Sequence, residues 1–353
     1  MSRRSPRLSA FASGLLAPSL ASIVGAAAFA LAELACACAC VTPRRLAEVE
    51  PRWLMKDGLD EYARVSLEAF RMAAEAPAPL GVVYLGSSMA RRALLDGDDP
   101  APIEADLARL VGERVRFHSL ETPGQTLLEA RSLAALIPRS FDGVVTIVVH
   151  EDHDDERNAA VAGAKSFRDL ARLAVDTPGV TPPTGVHFLD HLDWYAARRG
   201  ALARLGPVPE WPRGGPPTAG GRPIGLRRWR EIERRAEANP SPLLDKHELA
   251  LETLVESARG DGRVVVLLES PANPRYAAFK AHLATGYRSR MQALAKRTGA
   301  LYWDLNPVAD LVPEEFDDQV HLGAYAARLR FQTLYVNRLA AQLVKMRDEA
   351  NGR

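Results

Sequence analysis

Gly143-Val144-Val145-Thr146-Ile147-Val148-Val149 is the stretch on which the fold turns. Six of its seven residues are β-branched, and a glycine opens it. Branching at Cβ restricts χ1 and suits a pleated strand. A short, almost continuous apolar run is the pattern of a strand buried on both faces. Upstream, Leu80-Gly81-Val82-Val83-Tyr84-Leu85 repeats the pattern between Pro79 and Gly86, and 115–120 repeats it more weakly. Downstream, 263–268 and 300–304 do so again. Helical periodicities at 103–111, 127–136, 247–258 and 276–297 lie between these runs. A last amphipathic helix is expected to carry Leu322, Leu329, Val336, Leu339 and Leu343 on one stripe. Strands alternating with helices predict an α/β fold with about five parallel strands and helices on both faces of the sheet.

One interval breaks the rhythm. More than 100 residues separate the third and fourth runs, and within 206–225 twelve of twenty residues are Gly or Pro. The region reads as an insertion at about 155–245, with helices expected at 166–175, 191–205 and 226–238. Insertions at strand ends often shape access to a site. The expected layout is an N-terminal segment at 1–40, a connector and helix at 41–78, and a catalytic-type α/β domain at 79–350.

The N-terminal segment has its own signature. Arg3, Arg4 and Arg7 precede residues 8–32, which carry no charge. That length suffices for a transmembrane helix. A basic flank before the apolar stretch predicts the remainder on the outer side of the membrane, periplasmic or at the cell surface. Ala35-Cys36-Ala37 and Ala37-Cys38-Ala39 fit a signal-peptidase pattern, which leaves retained anchor and cleaved signal both open. Cys36, Cys38 and Cys40 are the only cysteines, so no disulfide framework is built.

The chain has 353 residues, 47% hydrophobic and 25% charged, as a folded globular protein does. Its 45 basic and 44 acidic residues nearly cancel. The arginines of 227–235 are interleaved with Glu231 and Glu233. This balance argues against a dedicated nucleic-acid binder.

In open parallel sheets ligands bind beyond the C-terminal ends of the strands. There the chain places Gly86-Ser87-Ser88, Gly124, His150-Glu151-Asp152-His153, Pro271-Ala272-Asn273-Pro274 and Asp318-Gln319-Val320-His321. A serine needs a base to become a nucleophile, and a carboxylate orients that base. Ser88, His321 and Asp318 supply the three parts. The backbone N–H groups of Ser88 and Gly124 are candidate oxyanion donors. Asn273, with Arg275 and Tyr276, fits either substrate contact or a capped helix start. The run 150–156 is rich in metal-ligand types, which leaves a divalent-metal site open as an alternative.

These blocks resemble the SGNH family, also called GDSL-type esterases and lipases, over residues 80–350. Gly86-Ser87-Ser88 is similar to its Gly-Asp-Ser block, Gly124 to its oxyanion glycine, and Asp318 and His321 to its Asp-x-x-His. The resemblance implies a flavodoxin-like three-layer α/β/α sandwich and a serine hydrolase without cofactor or metal. The N-terminal segment and Pro-x-Asn-Pro look like membrane-anchored members that handle acyl groups on envelope polymers. The implied substrate is an acylated small molecule or an envelope polysaccharide. O-acyl transfer and an inactive, glycan- or partner-binding domain are the alternatives.

The third block departs from the family. The expected Gly-x-Asn-Asp, whose Asn donates to the oxyanion, reads His150-Glu151-Asp152-His153. An ionised Asp152 accepts and does not donate. The expectation is therefore that Asp152 points away from the pocket and tolerates Asn. His150 or His153 is then expected to turn towards Ser88 as the replacement donor.

Overall fold

A computed structural model describes residues 80–352 except 96–99, 123, 136, 156–157, 159–223, 261–262 and 284–285, together with Ala28, Glu68 and Met72. The expected membrane segment, apart from Ala28, and the helices at 166–175 and 191–205 lie outside the described residues. Among the described residues no helix is long and apolar enough to cross a membrane.

The apolar runs become β1 (Gly81–Leu85), β2 (Arg116–Ser119), β3 (Gly143–Val149), β4 (Arg263–Glu269) and β5 (Leu301–Trp303). All pair in parallel, in the order β2-β1-β3-β4-β5. The helices are α1 (Ser88–Ala93), α2 (Ala101–Val111), α3 (Leu127–Ala135), α4 (Leu226–Ala238), α5 (Pro242–Arg259), α6 (Pro274–Lys280), α7 (Tyr287–Thr298), α8 (Asn306–Ala309) and α9 (Tyr325–Asn351).

Alternation along the strands explains why they are apolar throughout. Val83, Leu85, Val145, Ile147, Val149, Val265 and Leu267 pack under α3, α5 and α7. Val82, Tyr84, Val144, Val148, Val266 and Leu268 pack under α1, α2, α8 and α9. Thr146, the polar member of β3, is buried with its hydroxyl 2.8 Å from that of Tyr335 on α9. Two connector residues join this body. Met72 lies in the core on the α3, α5 and α7 side of the sheet, and Glu68 Oε1 is 2.9 Å from Nδ1 of His118 on β2, both side chains being buried.

Two helix expectations need correction. The single helix expected at 276–297 is two, α6 and α7, because Gly286 takes a left-handed conformation (φ 90°) at the start of α7. The stripe expected on the last helix is also misplaced at its start. Leu322 precedes α9 and bridges Phe316, and Leu329 is 41% exposed. The buried set is Ala327, Phe331, Gln332, Tyr335, Val336, Leu339, Ala340 and Leu343.

The strand order positions the site. From β1 the chain moves outward to β2, then returns past β1 to β3. The turn of direction opens a crevice between the C-terminal ends of β1 and β3. The last rung between them pairs Leu85 with Ile147. Ser88 and His150 each lie three residues beyond it, past the ends of these adjacent strands.

Candidate active site

Ser88 is delivered by a tight turn. Gly86 has φ 157°, and a Cβ there would lie 2.6 Å from the Cβ of Ala90. Only glycine lets α1 fold back so closely onto the end of β1. The cap of α1 is Ser87, whose hydroxyl accepts from the Met89 N–H at 3.5 Å. Ser88 is the first helical residue, so its own hydroxyl is spared from capping. That Oγ is 3.0 Å from Nε2 of His321.

The loop holding His321 is closed by its own backbone. Phe316 and Leu322 form an antiparallel bridge, and the Asp317 N–H donates to the His321 carbonyl at 2.9 Å. Within that loop Asp318 Oδ1 accepts from the backbone N–H groups of Val320 and His321, each at 2.9 Å. Its Oδ2 accepts from Nδ1 of His321 at 2.7 Å. Burial would raise the Asp318 carboxyl, but the His321 ring and the two amides outweigh it and bring the pKa down to about 2. Asp318 is therefore an anion that keeps the proton of His321 on Nδ1 and leaves Nε2 as the acceptor facing Ser88.

The loop after β2 meets the Ser88 turn directly. The Thr122 N–H donates to the Gly86 carbonyl at 3.0 Å. Gly124, two residues on, is buried and left-handed (φ 60°). The Gln125 amide donates to the Leu120 carbonyl at 2.8 Å and holds the turn tight. Thr126 and Glu129 then open α3 with reciprocal side-chain-to-backbone bonds of 3.2 and 2.9 Å, a capping box.

The loop after β3 divides its two histidines. His150 is buried, and its Nδ1 accepts the Asp152 backbone N–H at 3.0 Å. His153 is buried as well, with Nε2 2.8 Å from Asp155 Oδ1. Asp155 also caps α3 through the Leu127 N–H at 2.9 Å. One ring nitrogen of His153 is thereby held by Asp155. Among the described residues no group of three His, Cys, Asp or Glu side chains is arranged to hold a metal ion.

The Asp152 carboxylate is engaged by α6. Its Oδ1 is 2.6 Å from Nζ of Lys280 and its Oδ2 accepts the Tyr276 hydroxyl, both on α6. Burial pushes its carboxyl up, but His150, Lys280 and Tyr276 together hold it below the usual range. Glu151, 3.5 Å from Lys280, moves the opposite way. Burial, with the repulsion of Asp152, raises it to about 7 against the pull of Lys280.

Asn273 is also corrected. It is fully buried and caps α6, with Oδ1 accepting from the Arg275 N–H at 3.0 Å. Its Nδ2 donates to the Pro313 carbonyl at 3.2 Å, and its backbone N–H to the Gln319 carbonyl at 3.0 Å. No substrate contact is left for it; it ties the loop after β4 to the loop of His321. Of the two readings open for its neighbours, Tyr276 serves Asp152, and the Arg275 guanidinium lies 4.5 Å from the Trp229 ring centre. Lys280, a buried charge 128 positions from its partner Asp152, has no signature in the sequence.

No protein-family model matches the chain, and no curated protein is found to be similar to it.

Proposed function

We propose that the protein is a serine esterase of the SGNH type, on a flavodoxin-like three-layer sandwich. The reading rests on one observation, the continuous chain from Ser88 Oγ through His321 to Asp318, with links of 3.0 and 2.7 Å. Three residues of ordinary reactivity become a nucleophile, a base and an orienting anion when so arranged. Ser88 Oγ attacks the ester carbonyl carbon while its proton passes to Nε2 of His321. The tetrahedral intermediate collapses as the carbon–oxygen bond to the alcohol breaks and Nε2 returns the proton to the leaving alcohol. Water then attacks acyl-Ser88 by the same route, releasing the acid and restoring the serine. A sugar hydroxyl in place of water makes the same site an O-acyltransferase.

The oxyanion is assigned to the backbone N–H groups of Ser88 and Gly124 and to Nε2–H of His150, in place of the family's Asn. The proposed substrate is an ester-linked acyl group on a small molecule or an envelope polysaccharide, reached from an N-terminal anchor on the outer side of the membrane.

The test is a fluorophosphonate probe on the full-length protein, with the adduct mapped by mass spectrometry. Labelling at Ser88 that is lost in Ser88→Ala and His321→Ala, with hydrolysis of p-nitrophenyl acetate lost in parallel, is expected. A folded protein that neither labels nor hydrolyses would assign the domain to binding instead.

A further inference from the structure

Two asparagines, Asn306 and Asn273, link the loops beyond β5 and β4 to the loop of His321, and each uses both halves of its amide. Asn306 opens α8. Its Oδ1 accepts the Ala272 N–H at 3.0 Å, and its Nδ2 donates to the Ser270 carbonyl at 3.0 Å. Its own N–H donates to Asp304 Oδ1 at 3.0 Å, just past the end of β5. The segment it grips, 270–272, is anchored to the sheet as well: Ser270 is fully buried and its N–H donates to the Val149 carbonyl of β3 at 2.8 Å.

Asn273 follows at once and carries the connection onward at two points. Its Nδ2 donates to the Pro313 carbonyl at 3.2 Å, where the short turn Pro313–Glu315 leads into the loop. Its backbone N–H holds the Gln319 carbonyl at 3.0 Å, between Asp318 and His321. The bonds between Asp318 and His321 are internal to the loop. They set the shape of the pair and not its distance from Ser88, which has to come from ties to other elements. The ion pairs of Arg92 with Asp317 and of Arg330 with Glu315 also reach this loop, but these arginine side chains are 49% and 41% exposed. Exposed pairs contribute little. Asn273 is fully buried.

We propose that Asn273, backed by Asn306, is a positioning residue that seats the Asp318–His321 pair at hydrogen-bond distance from Ser88. The inference rests on the esterase reading for the purpose of that seat; the tie itself does not depend on it. An amide suits the task because it donates and accepts without bringing a charge into the interior. A serine or an aspartate at 273 could still cap α6. Neither would meet the Pro313 carbonyl, since the first is too short and the second, when ionised, has no hydrogen to give.

The experiment uses the full-length protein in detergent and two readouts. Backbone amide exchange over 316–322, followed by mass spectrometry, is expected to quicken by roughly tenfold in Asn273→Ser, as the loss of one buried hydrogen bond allows. Exchange in β1 and β3 should not change. For an aryl acetate kcat should fall by up to about 100-fold, as a displacement of about 1 Å does, with KM within about twofold. In a His321→Ala background the same substitution should alter kcat by less than about twofold, because no base is left to seat. A merely structural role would not depend on His321 in this way. Asn306→Ala should give the same pattern at smaller size, and it decides alone if Asn273→Ser fails to fold. Unchanged exchange in the folded variant overturns the proposal, and so does an equal loss of kcat with and without His321. A wild type that resists a fluorophosphonate at Ser88, with exchange still raised in Asn273→Ser, would remove the esterase reading and keep the brace. Normal labelling of Ser88 beside unchanged exchange would do the reverse.

Discussion

Two loops of this protein carry the same residue types and build opposite tools. In 318–321 an aspartate gives its carboxylate to Nδ1 of His321, at 2.7 Å. In 150–153 an aspartate gives its backbone N–H to Nδ1 of His150, at 3.0 Å, and its carboxylate to a lysine. The first arrangement leaves a lone pair on Nε2 facing Ser88, as the proposed base requires. The second puts the acceptor lone pair on Nδ1, as the proposed Nε2–H donor requires. Composition does not distinguish them; the partner of one ring nitrogen does.

The largest expected effect comes from breaking the first loop's rule. Asp318→Asn keeps the shape but puts an amide where the anion was, which frees His321 to take the wrong tautomer. Such a change in a triad lowers kcat by about 10⁴. Steady-state rates on an aryl acetate, with circular dichroism to confirm folding, measure it. A loss of less than tenfold would mean that Asp318 does not orient the base.

The second loop should respond less, and unevenly. His150→Ala removes one proposed donor, worth about 10²–10³ in kcat with little change in KM. His153→Ala breaks the pair with Asp155 and the support of α3, so it should cost stability and leave kcat within about threefold. The reverse ranking would exchange their roles.

How much of this was legible differs between the two loops for a physical reason. The strands announced themselves through local apolar runs, and Asp-x-x-His is a local spacing that one closed loop satisfies. Ser88 was also legible, although the cap that spares its hydroxyl, Ser87, was not singled out. The second loop depends on Lys280, Tyr276 and Asn273, which reach their partners across more than 100 residues or between separate loops. Contacts of that kind leave no period or motif. An amphipathic pattern marks Lys280 only as one charge on a helix, and the break of that helix at Gly286 hides its true end. The tautomer of a histidine is further still from sequence, because it follows from bonds made after folding.

The two loops should also differ in how pH acts on stability. Asp318 has a folded pKa of about 2, below its unfolded value. Its contribution is present above the unfolded value and lost as pH falls through about 2. Glu151 has a folded pKa of about 7, above the unfolded 4.5. Below pH 4.5 it is protonated in both states and costs nothing. As pH rises towards 7 the unfolded chain releases a proton that the folded chain retains, and stability falls by roughly 3 kcal/mol. Glu151→Gln should therefore melt like wild type at pH 4 and be more stable at pH 8, as read by urea unfolding at both. Equal stability at pH 8 would show that Lys280 compensates the carboxylate in full.

The smallest effect concerns an ion pair that looks important because of where it sits. Arg92 reaches Asp317 Oδ2 at 3.0 Å, immediately before Asp318. Its side chain is 49% exposed and that of Asp317 29%. Water screens such a pair, and holding a long side chain in place costs entropy, so its net worth is about 0–1 kcal/mol. The loop meanwhile has stronger ties: the bridge of Phe316 with Leu322, the backbone bond from Asp317 to His321, and the Asn273 N–H on the Gln319 carbonyl. These survive the loss of Arg92. Arg92→Ala is thus expected to move Tm by no more than about 3 °C and kcat/KM by less than about twofold, with the same result in 0.5 M salt. A tenfold fall in kcat that salt reproduces in the wild type would mean that exposed charge, not backbone closure, holds His321 against Ser88.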